Sequence, residues 1–156
     1  MHEFLDGYYA PQATPFLIAH MQLYHAAVQA TGWRVCASDN YLAPFFEPRA
    51  VTLPSIALID QASAAVTTSN GSLVLLQRLT KLRLSPWFVL LLRWDEACVA
   101  AKALGMKWPL AQQLNASYTD FKALAVALVG PHSIAAGSNT GSVLAGLSAN
   151  LTHTCV

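Results

Sequence analysis

The sequence predicts an α+β domain: a mixed or antiparallel β-sheet packed by two to three helices, with an N-terminal helix and a C-terminal β-hairpin. Three observations predict it. Phe88-Val89-Leu90-Leu91-Leu92, bracketed by Trp87 and Trp94, would put apolar side chains on both faces of a sheet, as a covered central strand does. Asn70-Gly71 lies between the β-branched Val66-Thr67-Thr68 and the apolar Leu73 to Leu76, a strong short hairpin signal. The last residues alternate Leu147, Ala149, Leu151, His153 and Cys155 with Ser148, Asn150, Thr152 and Thr154, the period of a half-buried strand.

In chain order, Phe4, Tyr8 and Tyr9 fit either an arm on a neighbour or a patch on the domain's own core. A helix follows, with Thr14 as N-cap, Pro15 at the first helical position and Gly32 past its end. Leu17, Met21, Tyr24 and Val28 form its apolar stripe, widened by Phe16, His20, Leu23 and Ala27. Trp33 to Ser38 reads as a short strand. Tyr41 to Pro54 carries Pro44, Pro48 and Pro54 around the aromatic pair Phe45-Phe46, and reads as an extended loop suited to contacting a neighbour. Ser55 to Asp60 reads as a short buried strand. Ala64 to Ser69 and Leu73 to Leu84 read as paired strands, although Leu75, Leu79 and Leu82 also sit at helical spacing. Ser85-Pro86 ends that element in either reading.

Asp95 fits the N-cap of a helix running to Leu104, with Lys102 near its negative end and Gly105 just past it. Met106 to Asn115 suggests a helical turn. Ser117 or Thr119 can cap a last helix, with Phe121, Leu124, Ala125 and Leu128 facing inward and Gly130-Pro131 as its stop. Ile134 to Gly137 and Ser142 to Val156 would form the closing hairpin.

One domain spanning 1–156 is expected from the length. Hydrophobic residues make up 54% and charged residues only 11%, against about 25% in ordinary domains. A surface this poor in charge points to contact with other protein. The charge is also unevenly placed. Through Asp60 five acids face Arg34 and Arg49; from Gln61 onward seven bases face three acids. Between Gln61 and Trp94 the only charges are Arg78, Lys81, Arg83 and Arg93. Head-to-tail contact between copies would use both signs. Four cations without a recognised nucleic-acid fold are a thin basis for binding DNA or RNA. The candidate interface residues are Phe45, Phe46, Arg49, Arg78, Lys81 and Arg83.

No transmembrane run of about 18 uncharged apolar residues is found around Leu84 to Leu104, and no secretory leader is read at the start. A cytosolic chain is the expectation, in which the sequons Asn70-Gly71-Ser72, Asn115-Ala116-Ser117 and Asn150-Leu151-Thr152 would have no meaning. Cys36, Cys98 and Cys155 show no metal or redox spacing and read as buried thiols. No phosphate loop, nucleophile elbow or zinc motif is found. His20 and His25, five apart, do not share a helix face as metal ligands would. Asp95-Glu96 could serve acid/base chemistry, and His153 with Cys155 could make a thiolate nucleophile. Helix capping and packing explain them more simply. No catalytic, cofactor-binding or metal-binding residue is predicted.

Phe45-Phe46-Glu47-Pro48-Arg49-Ala50-Val51, then Leu53-Pro54-Ser55-Ile56-Ala57-Leu58, then Ser148-Ala149-Asn150-Leu151-Thr152-His153, together with the order of predicted elements, resemble the tail terminator proteins of long-tailed phages, the minor tail protein U type. That resemblance implies a homo-oligomeric ring, a hexamer, that ends tube polymerisation and joins tail to head. Its partners would be further copies of itself, the tail tube protein and a head-completion protein, with DNA only passing through the lumen. Its place would be the virion, and the host cytoplasm during assembly. It implies no catalytic residues and no cofactor. Another structural subunit, such as a capsid or head-completion protein, is the first alternative; a small enzyme using Asp95/Glu96 or His153/Cys155 is the second.

Overall fold

The computed structural model describes residues 2–31, 46–129 and 154–155, and these are almost wholly helical. Six α-helices run α1 (His2–Tyr9), α2 (Thr14–Thr31), α3 (Leu53–Thr68), α4 (Leu73–Leu92), α5 (Trp94–Ala103) and α6 (Leu114–Val129), with a π-helical turn at Pro48–Thr52. The α+β expectation is therefore corrected: among the described residues there is no strand, only an isolated antiparallel bridge between Gln113 and Thr154. The predicted strand at Trp33 to Ser38, and most of the closing hairpin, lie outside the described residues.

Each β expectation on the described residues fails for a local reason. Ser55 to Asp60 is part of α3, whose buried Leu53, Ile56, Ile59, Ala62 and Val66 recur every three to four residues. The helical stripe extends beyond the six-residue window in which a short apolar run is ambiguous. Pro48 and Pro54 open helical turns instead of stretching a loop, because a first-turn N–H has no intrahelical acceptor to lose. Glu47 caps the π-helical turn, accepting from the backbone N–H of Arg49 at 3.0 Å and of Ala50 at 2.5 Å.

Asn70-Gly71 closes a helix end and not a hairpin. The Asn70 N–H bonds the Thr67 carbonyl at 3.1 Å and the Gly71 N–H bonds the Val66 carbonyl at 2.9 Å, the paired bonds of a Schellman cap. Asn70 takes the left-handed position at φ 54°, which asparagine tolerates better than most residues. A Cβ on Gly71 would lie 2.8 Å from the Val66 carbonyl oxygen. The end of α5 repeats the device as predicted, with Gly105 at φ 61° and bonds from Gly105 to Lys102 and Met106 to Ala101.

The apolar run expected to be a central strand is the C-terminal half of a central helix. α4 continues through Pro86, and Pro86, Trp87, Phe88, Val89, Leu90 and Leu91 are all buried. A helix surrounded by protein is apolar all round, like a covered strand. α3 and the π-helical turn pack on α4 from one side and α6 from another. Arg93 then ends α4 and takes the N-cap position of α5, two residues before the predicted cap Asp95, so α5 begins at Trp94 and Asp95 lies in its first turn.

Trp87 and Phe88 meet Phe121 of α6 at ring-centroid distances of 6.0 and 5.8 Å. A second cluster joins Leu5 of α1, Leu17 of α2, Val66 of α3 and Leu79 of α4. Pro48–Thr68 is long and apolar enough to cross a membrane by length and composition. Its apolar stripe is instead buried against α2 and α4, as in a core helix.

Cys98 of α5 and Cys155 are joined as a disulfide, Cα to Cα 5.5 Å apart and 57 residues apart in sequence. This corrects the expectation of free thiols at Cys98 and Cys155, both of which are buried as expected, while Cys36 lies outside the described residues. Next to it the Cys155 N–H bonds the Gln112 carbonyl at 2.8 Å, and Cys155 packs in the cluster with Leu114 and Phe121.

Candidate functional site

The predicted interface residues fall in different places. Phe45 lies outside the described residues. Phe46 is half-buried, its ring edge-on to Tyr24 at 6.5 Å, and its carbonyl accepts from the Thr52 hydroxyl. Arg49 and Lys81 are exposed.

Arg78 and Arg83 are fixed within the fold. Arg83 makes two bonds to the Asp60 carboxylate at 2.7 and 3.2 Å, donates to the Pro109 carbonyl at 2.9 Å and lies 5.0 Å above the Trp87 ring. Arg78 donates to the Tyr8 carbonyl at 2.5 Å and stands 4.1 Å over the Tyr8 ring. Two of the cations read as a basic patch thus tie α4 to its neighbours.

Arg78 nevertheless belongs to the most distinctive exposed feature among the described residues. The rings of Phe4 and Tyr8, one helical turn apart on α1, stack at 5.6 Å with planes 9° apart, and Tyr9 meets Tyr8 edge-on at 4.8 Å. Phe4 is 64% exposed. α1 is held down beneath this face by buried Leu5 and by the Thr14 hydroxyl, which donates to the Asp6 carboxylate at 2.6 Å. Thr14 therefore joins α1 to α2 and is the first residue of α2, where a cap was predicted. The result is a braced aromatic platform with an arginine at its edge.

A second arrangement was not anticipated. The Ser55 hydroxyl of α3 lies 3.0 Å from Nδ1 of His20 on α2, and the Tyr24 hydroxyl donates to Ser55 Oγ at 3.4 Å. A serine beside a histidine is the start of a nucleophile–base pair. Ser55 is fully buried, however, and no carboxylate among the described residues orients His20. Burial holds His20 below its ordinary value of 6.5 and raises the Tyr24 phenol, which the Ser55 hydrogen bond partly offsets. The geometry fits a neutral polar junction between α2 and α3. Its only sequence signal was His20 within the inner band of α2.

The carboxylates proposed for acid/base work are placed apart from any nucleophile in the described residues. Glu96 is clamped by Arg93 at 2.6 and 2.8 Å, and Asp95 is exposed in the first turn of α5. His153 lies outside the described residues, and Cys155 as a disulfide offers no thiolate. An open cleft of about 310 Å³ is walled by Leu53, Ala57, Asp60, Met106, Lys107 and Trp108, with Pro109. It offers apolar contact and charge but neither histidine nor nucleophile. No group of three His, Cys, Asp or Glu among the described residues could hold a metal ion.

Among the described residues these features are a set of packed helices with a braced aromatic surface and a buried polar junction. No protein-family model, curated protein or solved structure matches the chain.

Proposed function

We propose that the chain is a structural subunit that associates with further copies of itself through the Phe4–Tyr8–Arg78 platform. The observation that carries this reading is the stacking of an exposed Phe4 on a Tyr8 already fixed by Arg78. A rigid aromatic loses little conformational freedom when it is covered. Tyrosine and arginine are also the side chains that most often dominate protein contacts. The low charged share, 11%, favours the same reading, because uncharged surface is the kind that association hides. An inaccessible Ser55 and a cross-linked Cys155 weigh against an enzyme.

A ring that ends a phage tail is the finer form of this proposal, and it draws only on the three short stretches beginning at Phe45, Leu53 and Ser148. The strand layout that accompanied them has become helices in the described residues, so the coarser form takes precedence.

The test is the mass of the purified chain in solution by light scattering at several concentrations, for the native sequence and for Phe4→Asp. A multimer that Phe4→Asp converts to a folded monomer is expected. Salt should change it little, since Arg78 and Arg83 are engaged internally. A monomer at every concentration, or a multimer indifferent to Phe4→Asp, would overturn the reading.

A further inference from the structure

We propose that Asn70 is an acceptor for N-linked glycosylation and that the chain matures in an oxidising compartment. Self-association plays no part in either. Its first support is the Cys98–Cys155 cross-link. Such bonds form and persist in secretory compartments and outside the cell, and are rare where glutathione and thioredoxin keep thiols reduced. A sequon has chemical meaning in the same secretory setting.

The second support is local. Asn70-Gly71-Ser72 is the turn between α3 and α4, and both Asn70 and Ser72 are exposed. The Schellman cap at this turn uses only the backbone of Asn70, so its amide projects without a structural task. Ser72 precedes α4 in the N-cap position, and its side chain makes no capping bond. The contrast with Asn115-Ala116-Ser117 is sharp. There the Ser117 side chain is fully buried and accepts the indole N–H of Trp87 at 3.1 Å. Asn115 lies in the first turn of α6. Of the two sequons in the described residues, only the one at Asn70 presents both its amide and its hydroxyl.

The third support is what lies beside the turn. Leu73 is 71% exposed and Val74 52% exposed, an aliphatic pair next to Asn70 in a chain short of surface charge. A bulky, solubilising glycan on Asn70 would shield them.

In the step itself the Asn70 amide nitrogen attacks the anomeric carbon of a lipid-diphosphate-linked oligosaccharide. The N–C bond forms, the C–O bond to the diphosphate breaks, the lipid diphosphate leaves with the bonding electrons, and one amide proton passes to a base of the transferase. No oxidant or reductant is needed.

The test routes the full chain into the secretory pathway of cultured eukaryotic cells behind a cleavable leader. Peptide-N-glycosidase treatment of the secreted product and peptide mapping follow, beside the same chain kept in the cytosol. The expected result is a sugar mass lost on treatment, with Asn70 converted to Asp in the mapped peptide and Cys98 linked to Cys155. Ser72→Ala should abolish the modification at Asn70 without loss of thermal stability, because its hydroxyl caps nothing. Asn70→Asp, which keeps a residue tolerant of the left-handed position, should do the same. Asn115→Gln should leave the mass lost on treatment unchanged. An oxidised, secreted chain with Asn70 unmodified overturns the proposal, as does modification at Asn115 in its place. A chain whose Cys98 and Cys155 stay reduced in that compartment overturns it too. A glycan on Asn70 would also exclude the tail-ring form, whose subunits assemble in bacterial cytoplasm, and would leave association through Phe4 open.

Discussion

Ser117 and His20 show how single polar side chains are accommodated between these helices. The Trp87 indole N–H is buried and donates to Ser117 Oγ. Removing the hydroxyl leaves a buried donor without its acceptor, a loss of about 1–3 kcal/mol. Ser117→Ala should lower unfolding free energy by about 2 kcal/mol in a denaturant titration, with the helical signal of the native baseline unchanged. His20 is held neutral by burial, so its folded-state affinity for protons is weaker than in the unfolded chain. The unfolded state therefore binds more protons once pH falls below the ordinary histidine value, and stability drops in that window. Melting temperature should be level near pH 8 and decline from about pH 6.5 downward. His20→Gln should flatten that part of the profile, and an unaltered slope would place the titration elsewhere.

At the scale of elements, the ends of helices carry much of the information. Gly71 sits where a Cβ would press on the Val66 carbonyl, while Gly105 holds a left-handed φ in open space. Gly105→Ala should cost about 1 kcal/mol, the penalty for an L-residue in that conformation. Gly71→Ala should cost at least as much, because backbone must shift to relieve the contact. Thermal unfolding of the two variants measures this, and a neutral Gly71→Ala would refute the close approach. Gly105 was read correctly because a helical pattern with Lys102 in its last turn precedes it. Asn70-Gly71 is ambiguous in sequence, because the same dipeptide suits both a tight hairpin and a Schellman cap. The β-branched Val66-Thr67-Thr68 before it favours the hairpin on propensity alone. Within the helix those threonines return their hydroxyls to the Ser63 and Ala64 carbonyls, so their strand preference was overridden by packing of the Val66 stripe.

For the whole molecule, the cross-link and the aromatic clusters hold parts of the chain that are distant in sequence. Closing a loop of 57 residues stabilises by about 4 kcal/mol in the chain-entropy account. Reduction, or Cys155→Ser, should therefore lower unfolding free energy by up to about that amount. It should also speed proteolytic removal of the last residues while α3 and α4 stay protected. Equal melting temperatures for oxidised and reduced protein would show that the bond adds nothing to the fold.

Several features were readable from residues alone. The Thr14–Thr31 helix, the stop at Gly105 and the inner stripe of α6 at Phe121 and Ala125 follow from local signals, and these depend on only a turn or two of chain. The burial of Trp87 to Leu91 was also readable, because an apolar run must be covered on all sides. Whether that run is strand or helix was not, since both satisfy the same hydrophobic demand and differ only in what surrounds them. Local sequence likewise did not show that Arg78 and Arg83 are spent on Tyr8 and Asp60, that His20 meets Ser55, or that Cys98 finds Cys155. Each joins residues more than twenty positions apart. Sequence fixes a side chain's chemistry and its preferred turn of backbone, whereas long-range partnership depends on how the described helices pack, and only the tertiary structure decides it.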